Sequence, residues 1–157
     1  MSKFLYVLGK KIMNENDEEI LLEGVGLGGW MLPEGYMWGS HGYYNRPRRF
    51  EELVSYYMED QAEVWWDRYY KTWISDEDFT LTKKHGYNSI RLPMNYRLLM
   101  DENDVDSTVV FNEYGFKMID YTIEQCKKNG LYLILDLHGA PGGQTGANID
   151  DSKDDYP

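Results

Sequence analysis

The sequence predicts an α/β fold with parallel strands. Strand-like and helix-like patterns follow one another in the order strand, helices, strand, helix, strand. The last strand pattern, Leu131–Leu137, is an almost continuous apolar run, as suits a parallel strand buried on both faces. Each of the three main strands also runs into polar or aromatic residues at its C-terminal end, the end that carries the chemistry in parallel α/β barrels.

The elements are justified in chain order. Lys3–Leu8 and Ile20–Val25 have strand composition, and Asn14-Glu15-Asn16-Asp17 between them is turn chemistry. A short strand at Lys11–Met13 is expected to pair with the second of these, making a hairpin at the entrance. Residues 26–47 form a long loop dense in glycine and aromatics, and loops of that length in compact domains are usually functional. Arg49 to Lys71 reads as one long helix, with Phe50, Leu53, Val54, Tyr57, Met58, Val64, Trp65 and Tyr69 at spacings near three and four.

Ser75 caps the next helix, with Asp78 three residues on in the capping-box position, and Gly86 closes it. Asn88–Leu92 reads as a strand stopped by Pro93, and residues 101–108 as a polar loop. Asn112 opens a helix whose apolar positions are Phe116, Ile119, Ile123 and Cys126, ending at Gly130. Past Leu137 comes another glycine-rich loop, then an acidic stretch at 150–157 with no helix pattern.

Composition narrows the function. Hydrophobic residues make up 42% of 157, enough for a core. Sixteen Lys and Arg against 27 Asp and Glu give a formal charge of −11, which repels phosphate backbones and argues against nucleic acid. The 14 Tyr and 5 Trp fit either a core of large side chains or a surface for ringed ligands. The single Cys126 permits no internal disulfide and reads as a core thiol. No apolar run approaches the roughly 18 residues of a membrane span. Phe4–Leu8 is too short for a signal-peptide core, so a cytoplasmic location is favoured, with secretion left open.

Gly24-Val25-Gly26-Leu27-Gly28-Gly29 matches the dinucleotide fingerprint G-x-G-x-x-G by letter. That fingerprint needs a helix to follow, and Trp30-Met31-Leu32-Pro33-Glu34-Gly35 opposes one. The better reading is a loop whose backbone passes close to a ligand or a neighbouring strand. The later loop 139–146 lacks the lysine of a phosphate-binding loop. His41, His85 and His138 lack metal-ligand spacing, residues 101–112 lack the glycine and glutamate of a calcium loop, and no cofactor is implied.

At the strand ends, Arg91 lies between Ile90 and Leu92, so a buried guanidinium with an anionic partner is expected. It serves either to hold a carboxylate ionised or as a structural ion pair. His138 could be a structural or a functional histidine. Asp136 reads as a structural acceptor of hydrogen bonds. By spacing alone, Glu34 reads as an exposed loop acid.

Three ordered segments carry a family resemblance. Residues 24–37, Gly-Val-Gly-Leu-Gly-Gly-Trp-Met-Leu-Pro-Glu-Gly-Tyr-Met, resemble the first strand and loop of glycoside hydrolase family 5, in its exo-β-1,3-glucanase-like branch. Asp78-Phe79, through Gly86-Tyr87-Asn88-Ser89-Ile90-Arg91-Leu92-Pro93, is similar to the family's second-strand signature. Residues 133–144, Leu-Ile-Leu-Asp-Leu-His-Gly-Ala-Pro-Gly-Gly-Gln, are similar to its third.

The resemblance implies an incomplete TIM (β/α)8 barrel, its first three strands with an N-terminal β-hairpin, residues 1–157 being the N-terminal part of one barrel domain. It implies retaining hydrolysis of β-glycosidic bonds by two carboxyl groups. In the family these are glutamates after strands four and seven, the first in an Asn-Glu-Pro motif. The sequence contains no Asn-Glu-Pro. Both catalytic positions are expected beyond Pro157, and the chain alone is expected to be inactive.

By position, Arg91 resembles the arginine that keeps the nucleophile ionised, and His138 the third-strand histidine beside the reactive sugar. Glu34 resembles an acid contacting that sugar. Trp30, Tyr36 and Tyr96 are further candidates for sugar contact. The implied partner is a β-glucan or related oligosaccharide. Three parallel strands leave open edges, which predicts self-association. A non-catalytic carbohydrate-binding role is the alternative.

Overall fold

The structure is a computed structural model that describes residues 4–39, 42–101, 109–143 and 151. The polar loop after Asp101 and the acidic stretch flanking Asp151 lie outside the described residues.

Two short strands, β1 (Tyr6–Leu8) and β2 (Lys11–Met13), form an antiparallel hairpin. Lys11–Met13 pairs along its length with β1, and meets the segment expected as its partner only through one isolated antiparallel bridge, Met13 to Glu19. The two-residue turn at Gly9-Lys10 brings β2 back onto β1, and beside the Met13–Glu19 bridge the Ile12 carbonyl accepts from Ile20 N–H at 2.8 Å. Asn14 builds the next turn, its side-chain oxygen accepting from the N–H groups of Asn16 and Glu18.

The main sheet is parallel, in the order β3 (Gly24–Gly26), β4 (Ser89–Asn95), β5 (Tyr132–Gly139). Side chains alternate across it. Val25, Ile90, Leu92, Met94 and Leu133 share one face and pack on Phe79, Met118, Ile119 and Cys126. The register pairs Gly26 with Arg91 and Pro93 with Asp136, so Arg91, Asp136 and His138 share the opposite face.

β4 runs through Pro93 instead of stopping there. Arg91 C=O accepts from Leu27 N–H, so by alternation the N–H missing at Pro93 would point toward β3, whose pairing ends at Gly26. Two residues on, Asn95 N–H again finds an acceptor on that side, Met31 C=O at 3.0 Å. β3 and β5 are the edge strands among the described residues, and on β5 Ile134, Leu135 and Leu137 are exposed rather than buried on both faces.

Helix α1 (Pro47–Met58) and helix α2 (Ala62–Thr72) replace the single long helix expected. The chain breaks at Glu59, whose φ is +48°, and a 3-10 turn covers Glu59–Gln61. The break lets both halves close on one aromatic cluster, Phe50 from α1 and Tyr69 from α2 each lying against Trp38.

Helix α3 (Asp76–Lys84) starts as its sequence predicts, the Asp78 carboxylate accepting from Ser75 N–H at 2.8 Å and from its hydroxyl at 2.9 Å. Helix α4 (Glu113–Asn129) is capped by Asn112, whose side chain accepts from Tyr114 N–H, and ends at Gly130. Its buried face is Gly115, Met118, Ile119, Thr122 and Cys126. Phe116 and Ile123, read as core positions, are exposed one step round the helix.

Candidate active site

Gly26 and Gly28 open the site. Neither carries a side chain, so the C-terminal end of β3 leaves space above the inner face of the sheet. Arg91, Pro93 and His138 rise from β4 and β5, and Glu34, Tyr36 and Met37 close the space from the loop after β3. Together these eight residues line a cavity of about 530 Å³.

Arg91, Asp136 and His138 form a connected triad on the sheet. The Arg91 guanidinium makes an ion pair with Asp136 through Nη2, and the same Nη2 lies 3.0 Å from His138 Nδ1. His138 Nδ1 is also 3.2 Å from Asp136 Oδ2. Guanidinium nitrogens only donate, so Nδ1 has two exclusive states. Unprotonated, it accepts from Arg91, and Nε2 carries a proton. Protonated, it donates to Asp136. In the neutral ring Nε2 therefore donates when Nδ1 accepts from Arg91 and accepts when Nδ1 donates to Asp136.

The Arg91 side chain is 44% exposed, not buried as its apolar neighbours suggested. Those neighbours point to the opposite face. Its anionic partner is Asp136 on the adjacent strand. Asp136 is the hydrogen-bond acceptor its sequence position suggests, and beyond that reading it fixes both Arg91 and His138. Its spacing of two from His138 on one strand was the available signal, since i and i+2 share a face.

Glu34 is 5% exposed, which overturns its reading as a solvent-facing loop acid. The turn Leu32-Pro33-Glu34 folds it inward, with Glu34 N–H donating to Leu32 C=O at 3.0 Å. Burial pushes its carboxyl pKa up, while the charges of His138 and Arg91 and a weak bond from Tyr36 hold it back. Tyr36 donates to Glu34 Oε2 at 3.4 Å, and burial and the Glu34 charge raise its phenol pKa.

Thus four of the six residues singled out in the sequence, Arg91, His138, Glu34 and Tyr36, line one cavity. Trp30 does not. It is 2% exposed in the core, its indole N–H donating to Tyr70 C=O at 2.9 Å and its ring edge-on to Tyr121. Tyr96 is likewise buried, on the 3-10 turn Tyr96–Leu98 after β4, and does not line the cavity.

A parallel sheet with polar groups gathered at its C-terminal strand ends is the arrangement in which α/β barrels and open α/β sheets alike build their sites. Comparison with known proteins gives the family. Residues 49–157 match the family model for cellulase (glycosyl hydrolase family 5), and the chain belongs to that family. A β-xylosidase of Phanerodontia chrysosporium is 39% identical over 141 residues, covering 90% of this chain and 29% of that protein. A glucan 1,3-β-glucosidase of Schwanniomyces occidentalis is 30% identical over 150 residues, covering 88% and 34%. The crystal structure of a rutinosidase from Aspergillus niger superposes with a TM-score of 0.62 at 22% identity, covering 83% of this chain and 36% of that one. The fold is therefore part of a TIM barrel, and the chain spans about a third of the length of these relatives.

Proposed function

We propose that residues 1–157 supply the first three strands of a glycosidase barrel and bind a β-linked sugar, in a protein that hydrolyses O-glycosidic bonds of β-glucans by the retaining route. The observation that carries this reading is the gathering of Arg91, His138, Glu34 and Tyr36 around one cavity at the strand ends. Arg91 would steady an attacking carboxylate, His138 Nε2 would meet a sugar hydroxyl, and Glu34 would accept a hydrogen bond from another. The names of the β-xylosidase and glucan 1,3-β-glucosidase relatives support a β-glycoside substrate.

Among the described residues the cavity is lined by one carboxyl group, Glu34. A retaining hydrolase needs two about 5–5.5 Å apart. On this reading the 157-residue chain binds sugar without cleaving it, and the same observation supports the alternative of a carbohydrate-binding role. The exposed Ile134, Leu135 and Leu137 on β5 would be the surface for self-association.

The test is titration of the purified chain with laminari- and cello-oligosaccharides, followed by tryptophan fluorescence, beside an aryl β-glucoside turnover assay. We expect saturable binding that is lost in Arg91→Ala and His138→Ala, and no turnover. No response at millimolar ligand would refute the sugar site, and turnover would refute the inactivity of the chain.

A further inference from the structure

We infer that Trp73 is a positioning residue for the cavity, holding both limbs of the loop that forms its wall. It stands just past the end of α2 and lines no part of the cavity itself. Three independent contacts tie it to that loop.

The first is polar. The Trp73 indole N–H donates to Gly28 C=O at 3.1 Å, on the limb leaving β3. The second is a close approach. At Gly29, φ is +73°, and an added Cβ would sit 3.1 Å from the indole ring. A side chain there would be strained by the positive φ and crowded by the ring. The third is stacking on the returning limb, where Trp73 and Trp38 lie 4.4 Å apart at 26°. Trp38 is braced from behind by Phe50, at 5.2 Å and 25°.

Gly28 and Met37 both line the cavity, and they meet. A Cβ on Gly28 would come within 2.9 Å of the Met37 methyl. Trp73 therefore grips the residue before the wall through its N–H and the residue after it through its ring. Glu34, Tyr36 and Met37 lie between those two grips. Because Trp73 is 37% exposed, its hydrogen bond can be removed without excavating the core.

Two variants separate positioning from bulk stability. Trp73→Phe keeps an aromatic ring on Trp38 and deletes the donor to Gly28, whereas Trp73→Ala deletes both. Amide hydrogen exchange by NMR is the ligand-independent readout, followed at Glu34, Met37 and Gly39, whose N–H groups are hydrogen-bonded within the loop, with Tyr132 as the sheet control. We expect exchange in the loop to quicken about tenfold in Trp73→Ala and about threefold in Trp73→Phe, with the control unchanged.

The second readout, oligosaccharide affinity, rests on the sugar-site reading above. We expect Kd to rise about three- to tenfold in Trp73→Phe at nearly constant Tm. Unchanged loop exchange in both variants, or equal acceleration of loop and control, would overturn the inference. If the unaltered chain binds no sugar, the sugar reading fails, and the exchange measurement alone judges Trp73.

Discussion

Arg97→Met tests the buried charge cluster that pins the end of β4. Arg97 reaches two carboxylates at once, Glu51 on α1 and Asp151. The Asp151 side chain is only 2% exposed, and it also accepts from Arg48 N–H at 3.0 Å and Asn95 Nδ2 at 2.9 Å. Arg48, Arg97, Glu51 and Asp151 carry two charges of each sign. Methionine keeps the stem and removes one positive charge, leaving two carboxylates against Arg48. Breaking a buried pair by deleting one partner costs about 3–5 kcal/mol. Glu51 is partly open to solvent, so the lower end, about 3 kcal/mol, is expected. For a chain of this size that lowers Tm by roughly 6–12 °C.

The sign of its pH dependence follows from the same groups. Burial already raises the Glu51 carboxyl pKa against the pull of Arg97. Without Arg97 that rise is larger. A carboxyl whose folded pKa lies above its unfolded one is least costly below the unfolded value, and stability falls as pH climbs through the folded value. The gap between Arg97→Met and the unaltered chain should therefore be widest at pH 7 and narrow toward pH 4. Urea melts followed by far-UV circular dichroism at several pH values measure it. A loss below about 1 kcal/mol, or a gap constant from pH 4 to 7, would refute the electrostatic argument.

Two further changes follow from single contacts. Gly24→Ala places a Cβ 2.2 Å from Ser89 C=O, so β3 and β4 must separate, and a loss of about 1–3 kcal/mol in urea melts is expected. Glu34→Gln removes a carboxyl whose pKa is raised by burial, so Tm should rise at pH 7 and the gain should vanish below the ordinary value of 4.5. A calorimetric scan series across that range checks it.

Local chemistry was legible where it acts within a few residues. The box at Ser75 and Asp78, the cap at Asn112 and the turn at Asn14 follow from side chains meeting their own neighbouring backbone. The break between α1 and α2 was not legible. The apolar periodicity continues across it, and what opposes continuity is Trp38, more than ten residues upstream. The strand through Pro93 was hidden for a similar reason, since it depends on where β3 leaves the sheet. Of the site, the motif-bearing positions Arg91, His138 and Glu34 came together, and Tyr36 with them. Trp30 and Tyr96 carry the same ring chemistry as Tyr36 but lie in the core, and sequence alone does not tell a buried ring from one lining a cavity. The role of Trp73 carries no local signal, because its partners Gly28 and Trp38 lie more than thirty residues away.

The polarity of the inner face has its own physical logic. A guanidinium on a strand with free rotamers would sample many positions over an open cavity. Asp136 fixes it, and the contacts to Asp136 and His138 both engage Nη2. Nη1 lies on the other side, 3.8 Å from where a Cβ on Gly26 would be. Nη1 thus faces the β3 side, where Gly26 carries no side chain, while Asp136 holds the group from the β5 side. On the proposed reading, Arg91 would then face a second anion with part of its charge already balanced. It would orient that carboxylate through Nη1 geometry more than it would depress its pKa, because two anions share one cation.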